Sequence, residues 1–159
     1  MNKKIIPRNK LKGLVSRLKK QDKKIVTCNG CFDILHVGHI KFLGEAKKQG
    51  DILIVGLNSD KSVKLNKGPK RPINNQMNRA EVLSALEMVD YVTIYGEKDP
   101  RKLLSIIKPN VHCNGAEYGK NCIEAGVVKK GGWKIHIINI VEGFSTSKLT
   151  KKIAGLYFK

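Results

Sequence analysis

The sequence predicts an α/β protein in which a doubly wound, parallel sheet of five strands carries helices on both faces. Three observations support this. Short β-branched or apolar runs alternate with stretches of helical period along the whole chain. The run Asp51-Ile52-Leu53-Ile54-Val55-Gly56-Leu57 is almost wholly apolar, as a parallel strand covered on both sides has to be. Finally, 159 residues of 41% apolar composition suffice for one core, and no repeat or low-complexity linker divides them. A single domain is therefore expected.

Leu11, Leu14, Val15 and Leu18 recur at helical spacing, so residues 9–20 read as an amphipathic surface helix. Residues 1–23 are taken as an N-terminal segment whose helix packs on a domain formed by residues 24–159. Residues 24–28 are a β-branched strand running into the Asn29-Gly30 turn. Helical period returns over 37–49, with Gly50 as its C-terminal cap. Beyond the strand at 51–57, residues 58–75 read as a polar loop carrying Lys61, Lys64, Lys67, Lys70 and Arg71. A helix at 76–88, a strand at 91–95 and a helix from Pro100 through Ile107 follow. A strand at 111–113, a helix at 122–130, a strand at 134–140 and a helix at 146–157 complete the alternation.

Lys and Arg number 31 against 13 Asp and Glu, a net charge of +18 that predicts an anionic partner. Only Arg8, Arg17, Arg71, Arg79 and Arg101 are arginines, the residue type best suited to reading bases and phosphates bidentately. That favours a lysine-coated surface over a nucleic-acid footprint. No apolar run is long enough for a membrane span or a secretion signal, so a cytoplasmic location is expected. Cys28 and Cys31 form a C-x-x-C, but Cys113 and Cys122 stand nine positions apart and supply no second close pair, so no metal site is predicted.

In doubly wound sheets ligands bind beyond the carboxyl ends of the strands, usually just after the first. Here that turn reads Gly30-Cys31-Phe32-Asp33-Ile34-Leu35-His36-Val37-Gly38-His39, holding half of the four histidines. An H-x-G-H at a helix start sets two imidazoles beside unpaired backbone amides, and Gly38 lets a phosphate reach the backbone. Such a site binds polyphosphate and stabilises charge as a phosphoryl or nucleotidyl group moves. Capping or core roles would explain one such histidine better than they explain a pair.

Residues 30–39 resemble the G-x-F-D-x-x-H-x-G-H signature of the cytidylyltransferase-like nucleotidyltransferases, a superfamily of Rossmann-like fold. Asn58-Ser59-Asp60, Lys67-Gly68-Pro69, Arg71-Pro72-Ile73-Asn74, the helix from Arg79 through Leu86, Val89-Asp90-Tyr91-Val92 and Gly143-Phe144-Ser145-Thr146-Ser147 extend the similarity over residues 24–153. The chain thereby resembles the adenylyltransferase domain of bifunctional heptose kinase/adenylyltransferases. The resemblance implies that His36 and His39 are catalytic, holding the nucleotide phosphates. It implies nucleotide binding by Gly30, Cys31, Phe32, Gly38, Gly115, Glu117, Tyr118, Ser145 and Thr146, and substrate or phosphate binding by Asp33, Asn58, Lys67, Arg71 and Arg79. Ala116 and Glu117 stand where the family has glycine and aspartate, a departure that bears on base preference. His112 and His136 fall in strand patterns and read as structural.

The implied reaction joins ATP to D-glycero-β-D-manno-heptose 1-phosphate, giving ADP-heptose and pyrophosphate for lipopolysaccharide core or another surface glycan. Mg2+ is expected, held mainly through the nucleotide phosphates. The resemblance further implies a homodimer and, with no kinase half in this sequence, a separate heptose kinase and phosphatase. Two alternatives stay open: a CTP-dependent enzyme acting on glycerol 3-phosphate or another small phosphorylated alcohol, and a non-catalytic nucleotide- or nucleic-acid-binding module. The glycerol-phosphate enzymes carry an Arg shortly before the residues matching Glu142-Gly143, and none stands there.

Overall fold

The computed structural model describes residues 2–119, 121–139 and 143–157. Five strands, β1 (Ile25–Gly30), β2 (Ile52–Asn58), β3 (Tyr91–Tyr95), β4 (Val111–Gly115) and β5 (Lys134–Ile138), form one wholly parallel sheet in the order β3-β2-β1-β4-β5. This is the predicted doubly wound, Rossmann-like arrangement. The helices are α1 (Arg8–Lys20), α2 (Val37–Lys47), α3 (Asp60–Lys67), α4 (Gln76–Ser84), α5 (Arg101–Ile107), α6 (Ala125–Lys130) and α7 (Thr146–Tyr157).

Strand periodicity divides the core in two. Val26, Cys28, Leu53 and Val55 face α2 and α4, where they meet Leu43, Ala46, Ala80 and Leu83. Ile25 and Ile54 point the other way, onto Leu11, Leu14, Val15, Leu18, Leu103 and Ile107 of α1 and α5. Burying each such leucine fully stabilises the fold by about 1.5–3 kcal/mol. The N-terminal segment also guards an open edge: Ile6 N–H donates to Val92 O and Val92 N–H to Lys4 O beside β3.

Several boundaries differ from the sequence expectation. The predicted 58–75 loop contains α3, which Ser59 caps by accepting from the Ser62 amide and which ends at Gly68 with φ +93°. α3 anchors itself through Ser62 and Val63 alone, too thin an apolar stripe to register as a periodic pattern. α4 stops at Ser84 rather than residue 88 because Leu86 and Val89 bond back over three residues, in tight turns. α6 begins at Ala125, after a turn in which Ala125 N–H donates to Cys122 O. β1 and β4 each run two residues further than expected, to Gly30 and Gly115. β5 ends at Ile138, and Ile140 lies outside the described residues. Gly50 is not a left-handed cap. α2 ends before it, and glycine is required because a Cβ would sit 2.7 Å from Lys24 O.

Strand order reverses at β1, whose neighbours are β2 and β4. The carboxyl ends of β1 and β4 therefore frame the crevice where doubly wound sheets take their ligands.

Candidate active site

Beyond Gly30 the chain turns sharply at Phe32, whose φ of +42° is left-handed and strained for a bulky residue. Gly30 accommodates the turn, since a Cβ there would lie 3.0 Å from the Phe32 ring. The next residue, Asp33, accepts from the amides of Ile73 and Asn74 at 2.9 Å and from Arg71 Nε, while Asn74 Nδ2 donates to its carbonyl oxygen. Burial by itself would raise the Asp33 pKa. The two amides and the Arg71 guanidinium overcome that and hold it below the ordinary carboxylate value. One anion thus pins the 71–74 segment over the crevice.

His36 is the N-cap residue of α2, and its side chain makes no capping bond. Its ring stacks on that of His39, with centroids 3.8 Å apart and planes 18° from parallel, and Phe32 packs against His39 at 5.2 Å. Both Nδ1 atoms are buried without a partner. Burial, aided by the neighbouring His36, lowers the His39 pKa to about 4, and burial lowers that of His36 as well. Both rings are therefore neutral at pH 7 in the free protein. Gly38 lies between them, and a Cβ there would come within 3.0 Å of His36 Nδ1 and 3.3 Å of Phe144. A ligand can thus approach the first turn of α2 closely enough to meet its backbone amides.

A second helix start faces the first. Ser145 Oγ accepts from the Lys148 amide at 3.1 Å and so caps α7, leaving Thr146 at the opening turn. Between the two helix starts and the ends of β1 and β4 lies a cavity of about 300 Å³. Gly30, Cys31, Phe32, Asp33, His36, Gly38, His39, Lys67, Arg71, Gly115, Glu117, Tyr118, Ser145 and Thr146 all line it. The chain thus brings together segments more than 100 residues apart.

Two predicted site residues are placed elsewhere. Arg79 was expected at the phosphates, but its side chain is fully buried and fully committed. Nε donates to Asn74 O, Nη1 to Cys31 O, and Nη2 to Asn58 O and Asp60 Oδ1. It ties the β1 turn to the end of β2 and to α3. Asn58 is likewise internal, donating from Nδ2 to Ser62 Oγ at 2.8 Å. His112 is buried with Nδ1 2.9 Å from Thr27 Oγ1, as a structural residue would be.

Sequence reasoning missed Asn29, Phe42, Asn114, Phe144 and Ser147 among the lining residues. Asn29 and Asn114 carry a signal it could have used. Each is a polar residue near the carboxyl end of an otherwise apolar strand, beside the switch point. Among the described residues no group of three or more His, Cys, Asp or Glu is placed to hold a metal ion. The cavity carboxylates are Asp33, saturated by its four bonds, and Glu117, folded against Gly115. Such a donor set suits a divalent cation that arrives on a ligand's phosphates and keeps most of its water. No helix among the described residues is long and apolar enough to cross a membrane.

A family described as cytidylyltransferase-like matches residues 27–150. A protein of Campylobacter jejuni subsp. doylei named bifunctional protein HldE is 50% identical over 141 residues, covering 88% of this chain and 30% of that protein. The chain thus spans about a third of the length of such relatives. Among solved structures, a lipopolysaccharide core biosynthesis protein from Thermoplasma volcanium is 34% identical with a TM-score of 0.62, over 75% of this chain and 97% of that one. A pantoate-beta-alanine ligase from Francisella tularensis, 20% identical with a TM-score of 0.65 over 92% of this chain and 75% of its own, shares the fold.

Proposed function

Because this chain belongs to the cytidylyltransferase-like family, we propose that its cavity carries out nucleotidyl transfer from ATP to a sugar 1-phosphate, D-glycero-β-D-manno-heptose 1-phosphate, releasing pyrophosphate and ADP-heptose. The stacked His36–His39 pair at the start of α2 carries the reading. The lipopolysaccharide and HldE relatives support the choice of sugar and nucleotide.

A phosphate oxygen of the sugar 1-phosphate is already a nucleophile. It forms a bond to the α-phosphorus, the bond from that phosphorus to the bridging oxygen breaks, and pyrophosphate takes the electron pair. No proton has to be removed first, so the protein's work is alignment and charge stabilisation. His36 and His39 donate hydrogen bonds to the α- and β-phosphate oxygens as charge builds there. The amides at the start of α2 and around Ser145-Thr146 hold the chain of phosphates from opposite ends. Lys67 and Arg71 approach from the open side, and Asp33 keeps Arg71 aimed at the crevice. Gly115, which ends β4, and Glu117 and Tyr118 just beyond it take the nucleoside. When bound through the triphosphate, Mg2+ supplies neutralisation of the β- and γ-phosphate charge. In this reading a kinase step and a phosphatase step supply the sugar 1-phosphate.

Pyrophosphate release measured with ATP, CTP, GTP and UTP against heptose 1-phosphate, glycerol 3-phosphate and phosphoethanolamine tests the reading. Release confined to ATP with heptose 1-phosphate is expected. Turnover of CTP with a small phosphorylated alcohol would overturn the choice of substrates.

A further inference from the structure

One polar cluster beneath the cavity is not used by the mechanism above. Thr27 and His112 pair in register on β1 and β4, and Asn29 and Asn114 follow two residues later on the same face of the sheet. Glu124, the residue before α6, is 4% exposed and has no cationic partner among the described ion pairs. Its carboxylate is held instead by two carboxamides. Asn114 Nδ2 donates to Oε2 at 3.2 Å and Asn29 Nδ2 donates to Oε1 at 3.5 Å. Both asparagines line the cavity.

A carboxylate only accepts, so it fixes which end of each carboxamide faces it. In Asn29 the amino group turns to Glu124 and Oδ1 is left over, buried and without a partner. A buried acceptor left unpaired is costly, and this one belongs to a residue that lines the cavity. A phosphate oxygen would not complete it, since it would meet the carboxamide oxygen and the Glu124 charge with like polarity.

We propose that Glu124 is a positioning residue that orients the Asn29 carboxamide so that Oδ1 accepts a hydrogen bond from a neutral donor, a hydroxyl or amino group, on a bound substrate. The inference rests on the nucleotidyl-transfer reading of the cavity. It adds a neutral-donor subsite to the phosphate subsites there, and it makes the site selective for a substrate with a hydroxyl or amino group at that point. ATP and the sugar phosphate both carry such donors, so the two are separated by experiment.

The test is a double-variant cycle on Asn29→Ala and Glu124→Gln, with KM for ATP and for the sugar phosphate measured separately. Asn29→Ala removes the acceptor. In Glu124→Gln one carboxylate oxygen becomes an amino group, so the Asn29 carboxamide is no longer confined to donating and Oδ1 is free to turn from the ligand to that amino group. Each single variant is expected to raise KM for one substrate about tenfold, with kcat within about twofold. The substrate affected identifies the donor. The double variant should fall short of the sum of the two single effects, since Glu124 acts on this donor through Asn29. Unchanged KM for both substrates in folded Asn29→Ala overturns the proposal, as do additive effects in the double variant. Should Glu124→Gln fail to fold, Asn29→Ala decides alone. If wild type uses another nucleotide and acceptor, the choice of substrates fails while the cycle is run on the pair that reacts. If no pair reacts, MgATP and the sugar phosphate are titrated separately: weaker binding of either by Asn29→Ala supports the subsite, and unchanged binding of both removes it.

Discussion

Replacing Arg79 by alanine separates two roles that the sequence leaves open for this residue. As a phosphate ligand, Arg79 would be dispensable to folding, and its loss would appear in KM alone. The geometry predicts the reverse. Its guanidinium serves three backbone carbonyls and one carboxylate, and the side chain has no exposure. Asp60 is 34% exposed, so water can replace the arginine there. The bond to Asn58 O is fully buried, and losing its donor costs about 1–3 kcal/mol. Adding the lost packing of a large buried side chain and the broken ion pair brings the total to about 3–5 kcal/mol. For a domain of this size that lowers Tm by roughly 6–20 °C. Thermal unfolding followed by circular dichroism, with urea midpoints as a check, measures it. An Arg79→Ala protein of wild-type stability and selectively raised KM for ATP would refute the reasoning and return Arg79 to the phosphates.

Other outcomes follow from the same geometry. His39→Ala should keep its fold and lose at least about a hundredfold in turnover in the pyrophosphate-release assay, because a preorganised donor to the transferring phosphates is gone; near-wild-type turnover would remove the phosphate-site argument. MgATP binding should tighten as pH falls from about 7 toward about 5. Burial and His36 hold His39 near 4 in the free protein and bound phosphates raise that value, so between the two values the complex holds a proton that the free protein lacks. A flat profile by titration calorimetry would contradict this. Acid should destabilise the fold through His112, which burial lowers from 6.5 to about 4. The unfolded chain binds the proton first, so the contribution is complete above pH 6.5 and is lost as pH falls toward 4, roughly 3 kcal/mol in all. Urea unfolding of wild type and His112→Asn at pH 7 and pH 4.5 should show the larger acid loss in wild type.

Legibility in the sequence tracked how local each signal was. The strands around Ile25, Leu53 and Val92 and the helix at Leu11–Leu18 declared themselves by periodicity, which depends on neighbours alone. The His36-Val37-Gly38-His39 turn was legible because one short segment holds both imidazoles and the glycine. Arg79 was not, since its burial depends on carbonyls from Cys31, Asn58 and Asn74, and no window of sequence shows those converging. α3 was hidden by its lysines, although the Ser59 cap was visible in principle. Asn29 and Asn114 looked like strand ends, and only the pairing of β1 with β4 makes them neighbours.

None of the described residues of α7 is buried, yet its opening turn forms one wall of the cavity. Much of the remaining wall comes from the end of β1, its turn and α2, whose Cys28, Phe32 and Leu43 belong to the hydrophobic interior. Changes along α7 therefore reach substrate affinity without first passing through the stability of the domain, whereas changes behind His39 or Gly115 have to satisfy both. The molecule has one wall on which selection can tune affinity and another on which it can do so only by keeping the fold.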